Sequence, residues 1–294
     1  MIGLCTDSNA QLPPELVERY GVEVVPLSVT IDGVDFAEGV DLDADAFYAR
    51  FAGGARPQVT TAAPAPGSFA AAYRALAERG ATEVLSVHIG SAISATLAAA
   101  RLGAALSPVP VRLVDTGTAS FAIGCCAWEA AEAIAKGADI EQAAGIAEVV
   151  GATCGNVFVV GALDLARAGG RLGRGAEEEH EAGGGDHGPR GSLEDEGIPV
   201  LSLMGATMRP IAQVRTLDEA AAAMAAAVRA GGVGLRVGIS IADAAATPMW
   251  RALESALAGA PEVVDLVRYR VGPSVGAHTG PGTAGAVWYP RTVT

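Results

Sequence analysis

Two short segments place hydroxyl side chains next to predicted helix N-termini. Thr61 lies just before a helix predicted to begin near Gly67, and Ser94 follows a predicted buried strand at 84–89. A helix N-terminus has free N–H groups and a partial positive charge, so added hydroxyl donors make an anion site that needs no Lys or Arg. Ligands of open α/β sheets bind at the carboxyl ends of strands, where both segments are expected. The pattern fits a small carboxylate held between Thr61 and Ser94, and it equally fits ordinary N-capping.

A Gly/Pro-rich segment near the C-terminus, from Gly272 to Gly282, is predicted to be a loop that carries His278 and Thr279. Glycine lets backbone approach a ligand closely, and a histidine in such a loop can donate to an anion or move a proton. A tight connection with an incidental histidine explains the same residues. Ser94 as nucleophile with His278 as base would be an acyl hydrolase or transferase, but the sequence does not show that the two meet.

The other polar candidates carry weaker signals. The turn Gly169-Gly170-Arg171 offers one fixed cation for a carboxylate or phosphate. Asp7, after the first strand, is predicted to cap or orient a neighbouring loop, and His88 is predicted to be a satisfied core histidine. No GxxxxGK[ST] or HExxH motif is present, and no GxGxxG follows a predicted strand. The sequence therefore predicts no metal and no cofactor.

The elements that must position these residues form two patterns. In the first half, short apolar runs alternate with helical periodicity, which predicts a parallel sheet with helices on both faces. The second half has more adjacent strands, including a predicted hairpin of 198–204 with 211–215, and its sheet is expected to be mixed, with helices. We predict an N-terminal α/β domain at 1–153 and a C-terminal α/β domain at 154–294. The latter contains a mobile acidic loop at about 173–197.

Composition excludes several classes of protein. The chain has 294 residues, 50% of them hydrophobic and 18% charged, which excludes intrinsic disorder. Its 33 acidic and 20 basic residues give a net charge of −13, which argues against nucleic acid and anionic membrane surfaces as partners. Four cysteines without a CxxC pair are predicted to be reduced and mostly buried. The N-terminus reads as a first strand without a basic leader, which predicts a cytoplasmic protein with no stable membrane insertion.

Taken in order, the motifs resemble those of the bacterial DegV family. The matching segments are Thr6-Asp7-Ser8, Val25-Pro26-Leu27 with Asp32-Gly33, the block from Thr61, Ser94-Ala95-Thr96, Leu113-Val114-Asp115-Thr116, Gly169-Gly170-Arg171-Leu172 and the Gly276–Gly282 segment. The resemblance covers essentially the whole chain. It implies a two-domain α/β protein that binds one long-chain fatty acid between its domains.

The resemblance also implies a role and a set of site residues. Members serve as the fatty-acid-binding subunit of bacterial fatty acid kinase and present the carboxylate to a separate ATP-using subunit, which makes acyl phosphate for phospholipid synthesis. The family's carboxylate-binding residues fall on Thr61 and Ser94. His278 and Arg171 fall near the headgroup, and Thr279 lies beside His278 in the same motif.

This chain departs from the family pattern at three places. Ala62 replaces the serine of one motif, and Ala95 replaces the glycine of another. An acidic loop also follows the GGR turn, in a region that bears on docking of the kinase. These departures concern the headgroup site and the partner more than the lipid.

The same residues are compatible with two other functions. An acyl hydrolase or transferase predicts turnover of an acyl ester by the isolated protein and its loss in Ser94→Ala. A sensor of a small anionic metabolite would use the same two segments. Only the volume and polarity of the cavity distinguish that sensor from a lipid carrier.

Overall fold

The computed structural model describes residues 1–168, Gly170 and residues 197–291. Arg171 and the predicted acidic loop, apart from Gly197, lie outside the described residues. The strands are β1 (Ile2–Asp7), β2 (Glu23–Val25), β3 (Ser28–Ile31), β4 (Val34–Ala37), β5 (Val59–Ala62), β6 (Glu83–His88), β7 (Val111–Asp115), β8 (Gly155–Val159), β9 (Ile198–Met204), β10 (Thr207–Val214), β11 (Leu235–Ile241), β12 (Val263–Arg270) and β13 (Ala284–Pro290). The α-helices are α1 (Pro14–Tyr20), α2 (Ala44–Ala49), α3 (Pro66–Glu78), α4 (Thr96–Ala104), α5 (Phe121–Ala135), α6 (Ile140–Thr153), α7 (Leu163–Ala168), α8 (Leu217–Ala230), α9 (Thr247–Leu257) and α10 (Pro273–Thr279).

The first half of the chain forms the predicted parallel sheet, in the order β2-β1-β6-β7. Buried side chains of α5 and α6 pack on one face with Leu85 and Val114. Side chains of α3 and α4 pack on the other face with Cys5 and Val84. Apolar strands covered on both sides are typical of parallel sheets, and this part of the fold is as predicted.

A small antiparallel sheet, in the order β4-β3-β5, was not predicted as a separate unit. The β-rich run at 22–31 divides into β2 and β3 around Pro26, which has no N–H to donate to a strand ladder. Asp32 and Gly33 have φ of 49° and 83°, the positive values that a tight hairpin turn needs. Asp32 and Gly33 therefore form the turn between β3 and β4 of this additional sheet.

The second half forms a mixed six-stranded sheet, in the order β10-β9-β8-β13-β11-β12. Only the pair β11–β12 is parallel among the described strand pairs of this sheet. Helices α8 and α9 cover one face over a core that includes Met224 and Leu253. The hairpin of β9 and β10 is as predicted, but its second strand begins at Thr207, four residues earlier than expected, because the turn lies at Gly205.

The segment at 272–282 contains a helix, where we predicted a loop. Helix α10 begins at Pro273, a position that suits proline, and ends at Gly280, whose φ is 76°. Residue 276, inside this helix, needs to be glycine. A Cβ there would come within 2.6 Å of the Tyr48 hydroxyl and 2.7 Å of the Phe47 ring. The prolines and glycines of this segment therefore mark the ends of a short helix and allow it to pack closely. His278 sits on this helix and not on a loop.

A buried charge network joins the two halves. Arg236 of β11 is 3% exposed and donates to the fully buried Glu129 of α5. Its Nε also donates to Asp265 of β12 at 2.9 Å, and its Cζ lies 3.8 Å from the ring centroid of Trp128. A planar cation that pairs and stacks at once fixes the orientation of α5 against the second sheet.

The four cysteines are free, as predicted. Cys5, Cys125 and Cys126 are buried, and Cys154 is half-buried. Burial raises the pKa of the Cys5 thiol to about 12. This thiol therefore acts as a small apolar group of the core.

The chain passes from the first half to the second at Cys154, between the end of α6 at Thr153 and the start of β8 at Gly155. The domain boundary at 153/154 stays a prediction. Within the described residues, no helix combines the length and the apolar character needed to cross a lipid bilayer.

Candidate functional site

A cavity lies against the face of the second sheet that α8 and α9 leave uncovered. Tyr269, Ser240, Gly285 and Phe158 are successive pairing partners across β12, β11, β13 and β8, and all four line the cavity. Directly paired residues point to the same face of a sheet, so this row forms a floor. Loops and helix ends from both halves of the chain form the other walls.

The cavity is large enough for a small organic ligand. The space open to the centres of water molecules is about 130 Å³. That space holds roughly ten waters, or about 300 Å³ of liquid. The value reaches the lower end of the range for small-molecule sites.

The lining is mostly uncharged and apolar. None of the described residues that line the cavity is Lys, Arg, Asp or Glu. The larger apolar side chains are those of Leu27, Ile89, Ile93, Phe158, Leu203, Met208, Val271, Val275 and Val287. An anion bound here would therefore be held by neutral donors, with a histidine beside them, while apolar surface contacts the rest of the ligand.

Thr61 and His278 meet in this cavity. The Thr61 Oγ1 and His278 Nε2 atoms are 3.2 Å apart, which joins β5 to the last turn of α10. Thr61 lies inside strand β5, and α3 begins only at Pro66, with Ala65 as its N-cap. Our expectation that Thr61 sits at a helix N-terminus, beyond a parallel strand, is therefore wrong. Alternation along β5 turns Thr61 inward.

Ser94 lines the same cavity from the connection between β6 and α4. Its hydroxyl accepts from the Thr96 N–H at 3.3 Å and lies 2.8 Å from Thr96 Oγ1. Ser94 is half-buried, so its hydroxyl combines a role at the start of α4 with access to the cavity. The hydrogen bond from Thr96 gives Ser94 a local structural role, and binding of a carboxylate by Ser94 stays a prediction.

The remaining predicted residues differ in whether they line the cavity. Thr279 lines the cavity, but its hydroxyl donates to the Val275 carbonyl within α10. Ala62 and Ala95 are exposed and do not line the cavity. Arg171 lies outside the described residues.

Asp7 and His88 have the structural roles that we predicted. Asp7 is fully buried, and its carboxylate accepts from the backbone N–H groups of Asn9 and Ile89. His88 is also fully buried, between Asp7 at 2.9 Å and the Ser86 hydroxyl at 2.6 Å. Because Asn9 and Ile89 line the cavity, Asp7 orients two of its walls.

Sequence reasoning missed a hydrogen-bonded wall of the cavity. Asn9 donates to the Ser274 hydroxyl at 3.0 Å and accepts from the Ser120 N–H at 2.8 Å. Glu38 accepts from the Ser274 N–H at 2.8 Å and from the Ser8 hydroxyl. Ser274 and His278 are four residues apart on α10, a spacing that would have indicated one face had the helix been predicted.

Glu38 predicts a pH dependence of stability. Burial raises the pKa of Glu38, against the opposing hydrogen bonds from Ser8 and Ser274, and nearby Asp7 raises it further. The folded state therefore holds this proton more tightly than the unfolded state does. Its contribution to stability is complete below a pH of about 4.3 and is lost as pH rises through the folded-state pKa.

In Glu38→Gln this loss is removed, so the free energy of unfolding should fall less steeply with rising pH than in the unsubstituted protein. Urea denaturation at a series of pH values measures both slopes. Glu18→Gln, at an exposed glutamate of α1, is the matched control and should leave the slope unchanged. Equal slopes for the Glu38→Gln variant and the unsubstituted protein would contradict this account of Glu38.

Among the described residues, no group of three or more His, Cys, Asp or Glu side chains is placed to hold a metal ion. The arrangement can bind a ligand that has a polar end and an apolar body. Neutral donors converge on an otherwise apolar cavity.

Known proteins are similar to this chain in sequence and in fold. The model of the family described as "Uncharacterised protein, DegV family" matches residues 1–177. The chain belongs to the DegV family. It is 37% identical over 293 residues to a DegV domain-containing protein of Streptomyces coelicolor, with 97% of each chain covered.

Two solved structures that are described as binding fatty acid resemble the whole chain. A DegV family protein from Thermus thermophilus has a TM-score of 0.83 at 30% identity, over 98% of this chain and 99% of that one. A Thermotoga maritima protein has a TM-score of 0.81 at 25% identity, over 98% of this chain and 99% of that one. The two-domain α/β architecture, with a parallel and a mixed sheet, is thus the fold of this family.

Proposed function

We propose that this protein binds one long-chain fatty acid in the cavity and presents its carboxylate to a separate ATP-using kinase subunit, which forms the acyl phosphate. The observation that carries the proposal is the contact of Thr61 with His278 at the wall of a mostly apolar cavity whose described lining holds no Lys, Arg, Asp or Glu. Fatty acid binding described for the DegV family protein of Thermus thermophilus and for the Thermotoga maritima protein supports it.

The headgroup in this proposal is held by Thr61, Ser94 and His278. Each hydroxyl can donate to a carboxylate oxygen, and the imidazole beside Thr61 can add a third donor. Hydrogen bonds to an ionised group contribute more than those between neutral groups, so a few donors compensate for partial desolvation of the carboxylate. Thr279 and Arg171 remain proposed as residues near the headgroup or facing the partner.

The acyl chain in this proposal lies along the row from Ser240 to Phe158 and under the apolar walls. Burying each CH₂ group contributes about 0.8 kcal/mol, so a long chain supplies most of the binding free energy. A small anionic metabolite would leave most of this apolar lining without a partner. The cavity thus favours a lipid over a small-metabolite sensor.

The positions of the headgroup donors support presentation of the carboxylate to a kinase. Thr61 and Ser94 are half-buried, and their chain neighbours Thr60, Ala62 and Ala95 are exposed. A carboxylate held by these donors would lie close to the protein surface. A second protein could then bring its phosphoryl donor to the carboxylate while the tail stays buried.

The lipid part is tested by calorimetric titration of delipidated protein with octadecanoic acid and with its methyl ester. We expect the acid to bind more tightly, because the ester cannot offer a carboxylate to Thr61, Ser94 and His278. Equal affinities would contradict the proposed headgroup site, and no affinity for either would contradict lipid binding.

The partner and the lack of catalysis are tested together. Acyl phosphate should form from fatty acid and ATP only when this protein and its ATP-using subunit are mixed. Turnover of an acyl ester by the isolated protein, lost in Ser94→Ala, would favour the acyl hydrolase or transferase instead.

A further inference from the structure

Three hydroxyl groups gather inside the cavity, apart from the proposed headgroup donors. Ser120, Ser240 and Tyr269, here called the hydroxyl cluster, all line it. Ser240 and Tyr269 are direct pairing partners on β11 and β12, and Ser120 reaches the same place from the N-cap of α5. Burial raises the pKa of Tyr269 to about 12, while hydrogen bonding to Ser240 and Ser120 opposes this. Because Ser240 and Tyr269 are paired on adjacent strands, their side chains lie on the same face of the sheet.

Ser240, a member of the hydroxyl cluster, is separated along the sheet from the end of α10 that carries His278. Ser240 pairs with Gly285 of β13, whereas Thr283, two residues earlier, donates its hydroxyl to the Thr279 carbonyl at the end of α10. Two residues of extended chain span about 7 Å. The row of Ser240 and Gly285 is thus about 7 Å along β13 from the residue that contacts the end of α10, the end that carries His278.

Ser120 has a backbone conformation that favours glycine. Its φ is 62° and its ψ is −152°, a combination that is strained for any residue with a Cβ. A serine at such a position carries a conformational cost that glycine would avoid. Such residues cluster at ligand sites, and here the side chain that causes the cost adds a third hydroxyl to the cluster.

We propose that the hydroxyl cluster recognises a hydroxyl group on the acyl chain, so that the preferred ligands are long-chain hydroxy fatty acids. This proposal rests on the fatty acid binding proposed above and names the class of fatty acid. Hydroxyl groups both donate and accept, so an alcohol on the chain can join the cluster with its donor and its acceptors satisfied. A plain methylene there gains no hydrogen bond. A carboxylate on the chain in place of the hydroxyl would lose its hydration without gaining a cation, because no Lys or Arg is among the described lining residues.

The experiment titrates delipidated protein with octadecanoic acid and with a series of octadecanoic acids that carry one hydroxyl at successive carbons. We expect at least one positional isomer to bind roughly three- to tenfold more tightly than octadecanoic acid, the effect of one added buried hydrogen bond. In Ser240→Ala and in Tyr269→Phe that preference should disappear, so that the hydroxylated isomer binds no more tightly than octadecanoic acid does in the same variant.

The outcomes separate the two proposals. Binding of octadecanoic acid with no isomer preferred, or a preference that survives both substitutions, overturns the hydroxy-acid proposal alone. No affinity for any acid of the series contradicts both proposals.

Ser120→Gly distinguishes a ligand role from a structural one. Glycine adopts the φ and ψ of residue 120 without strain, so the melting temperature should stay the same or rise. The preference for the hydroxylated isomer should weaken in the same variant. A lower melting temperature with the full preference retained would show that Ser120 stabilises the fold and does not contact the ligand.

Discussion

Replacing Arg236 by Met is expected to lower the free energy of unfolding by about 3–5 kcal/mol. The guanidinium is 3% exposed and pairs with Glu129, which is fully buried. Removing it leaves the Glu129 carboxylate in the interior with only the Tyr289 hydroxyl donating to it among the described contacts. It also removes the cation that lies over the Trp128 ring. Urea denaturation of both proteins at neutral pH measures the difference.

Arg268→Met is the matched control. Arg268 lies on β12, pairs with Glu254 and stacks over Trp250 at 5.5 Å, but its side chain is 66% exposed. Exposed pairs contribute little, so this variant should change the free energy of unfolding by less than about 1 kcal/mol. Comparable losses of unfolding free energy in the two variants would show that the contribution of Arg236 to stability does not depend on its burial.

The double variant Thr61→Val, Ser94→Ala is expected to weaken fatty acid binding by about 100-fold or more. Each substitution removes one hydroxyl donor to the proposed carboxylate, and a hydrogen bond to a charged group contributes about 1.5–3 kcal/mol. Two such losses convert to roughly two to four powers of ten in the dissociation constant. Val replaces Thr at nearly constant volume, so the cavity shape is retained. Calorimetric titration with octadecanoic acid measures the change.

The double variant Thr60→Val, Ser91→Ala controls for changes to the same two segments. Thr60 is exposed on the opposite face of β5, and the Ser91 hydroxyl donates to Asp115 outside the cavity. These substitutions should leave affinity within about twofold, since neither hydroxyl lines the cavity. A large loss here, or none in the Thr61 and Ser94 variant, would contradict the proposed headgroup site.

Local patterns predicted most of the fold. Alternation of apolar strands with helical periodicity indicated the parallel sheet, and the predicted hairpin of 198–204 with 211–215 indicated a mixed second sheet. These features follow from periodicities of 2 and 3.6 that need no knowledge of tertiary contacts. Helix α10 was missed because Gly276 lowers helix propensity, while packing against Tyr48 and Phe47 requires that glycine.

The candidate site could be predicted only in part. Thr61, Ser94, His278 and Thr279 all line one cavity, but their motifs did not show that Thr61 projects from a strand. The contact of Thr61 with His278 spans more than two hundred residues and depends on the small antiparallel sheet. The hydroxyl cluster was missed for the same reason, because the pairing of two strands and the start of a helix from the other half bring its members together.

Native mass spectrometry of the purified protein, before any delipidation, tests the central proposal most directly. We expect a mass increment that corresponds to one long-chain fatty acid per chain, lost in the Thr61→Val, Ser94→Ala variant and retained in the Thr60→Val, Ser91→Ala variant. A chain that carries no acyl species, and that takes up none when fatty acid is added to the delipidated protein, would contradict the account.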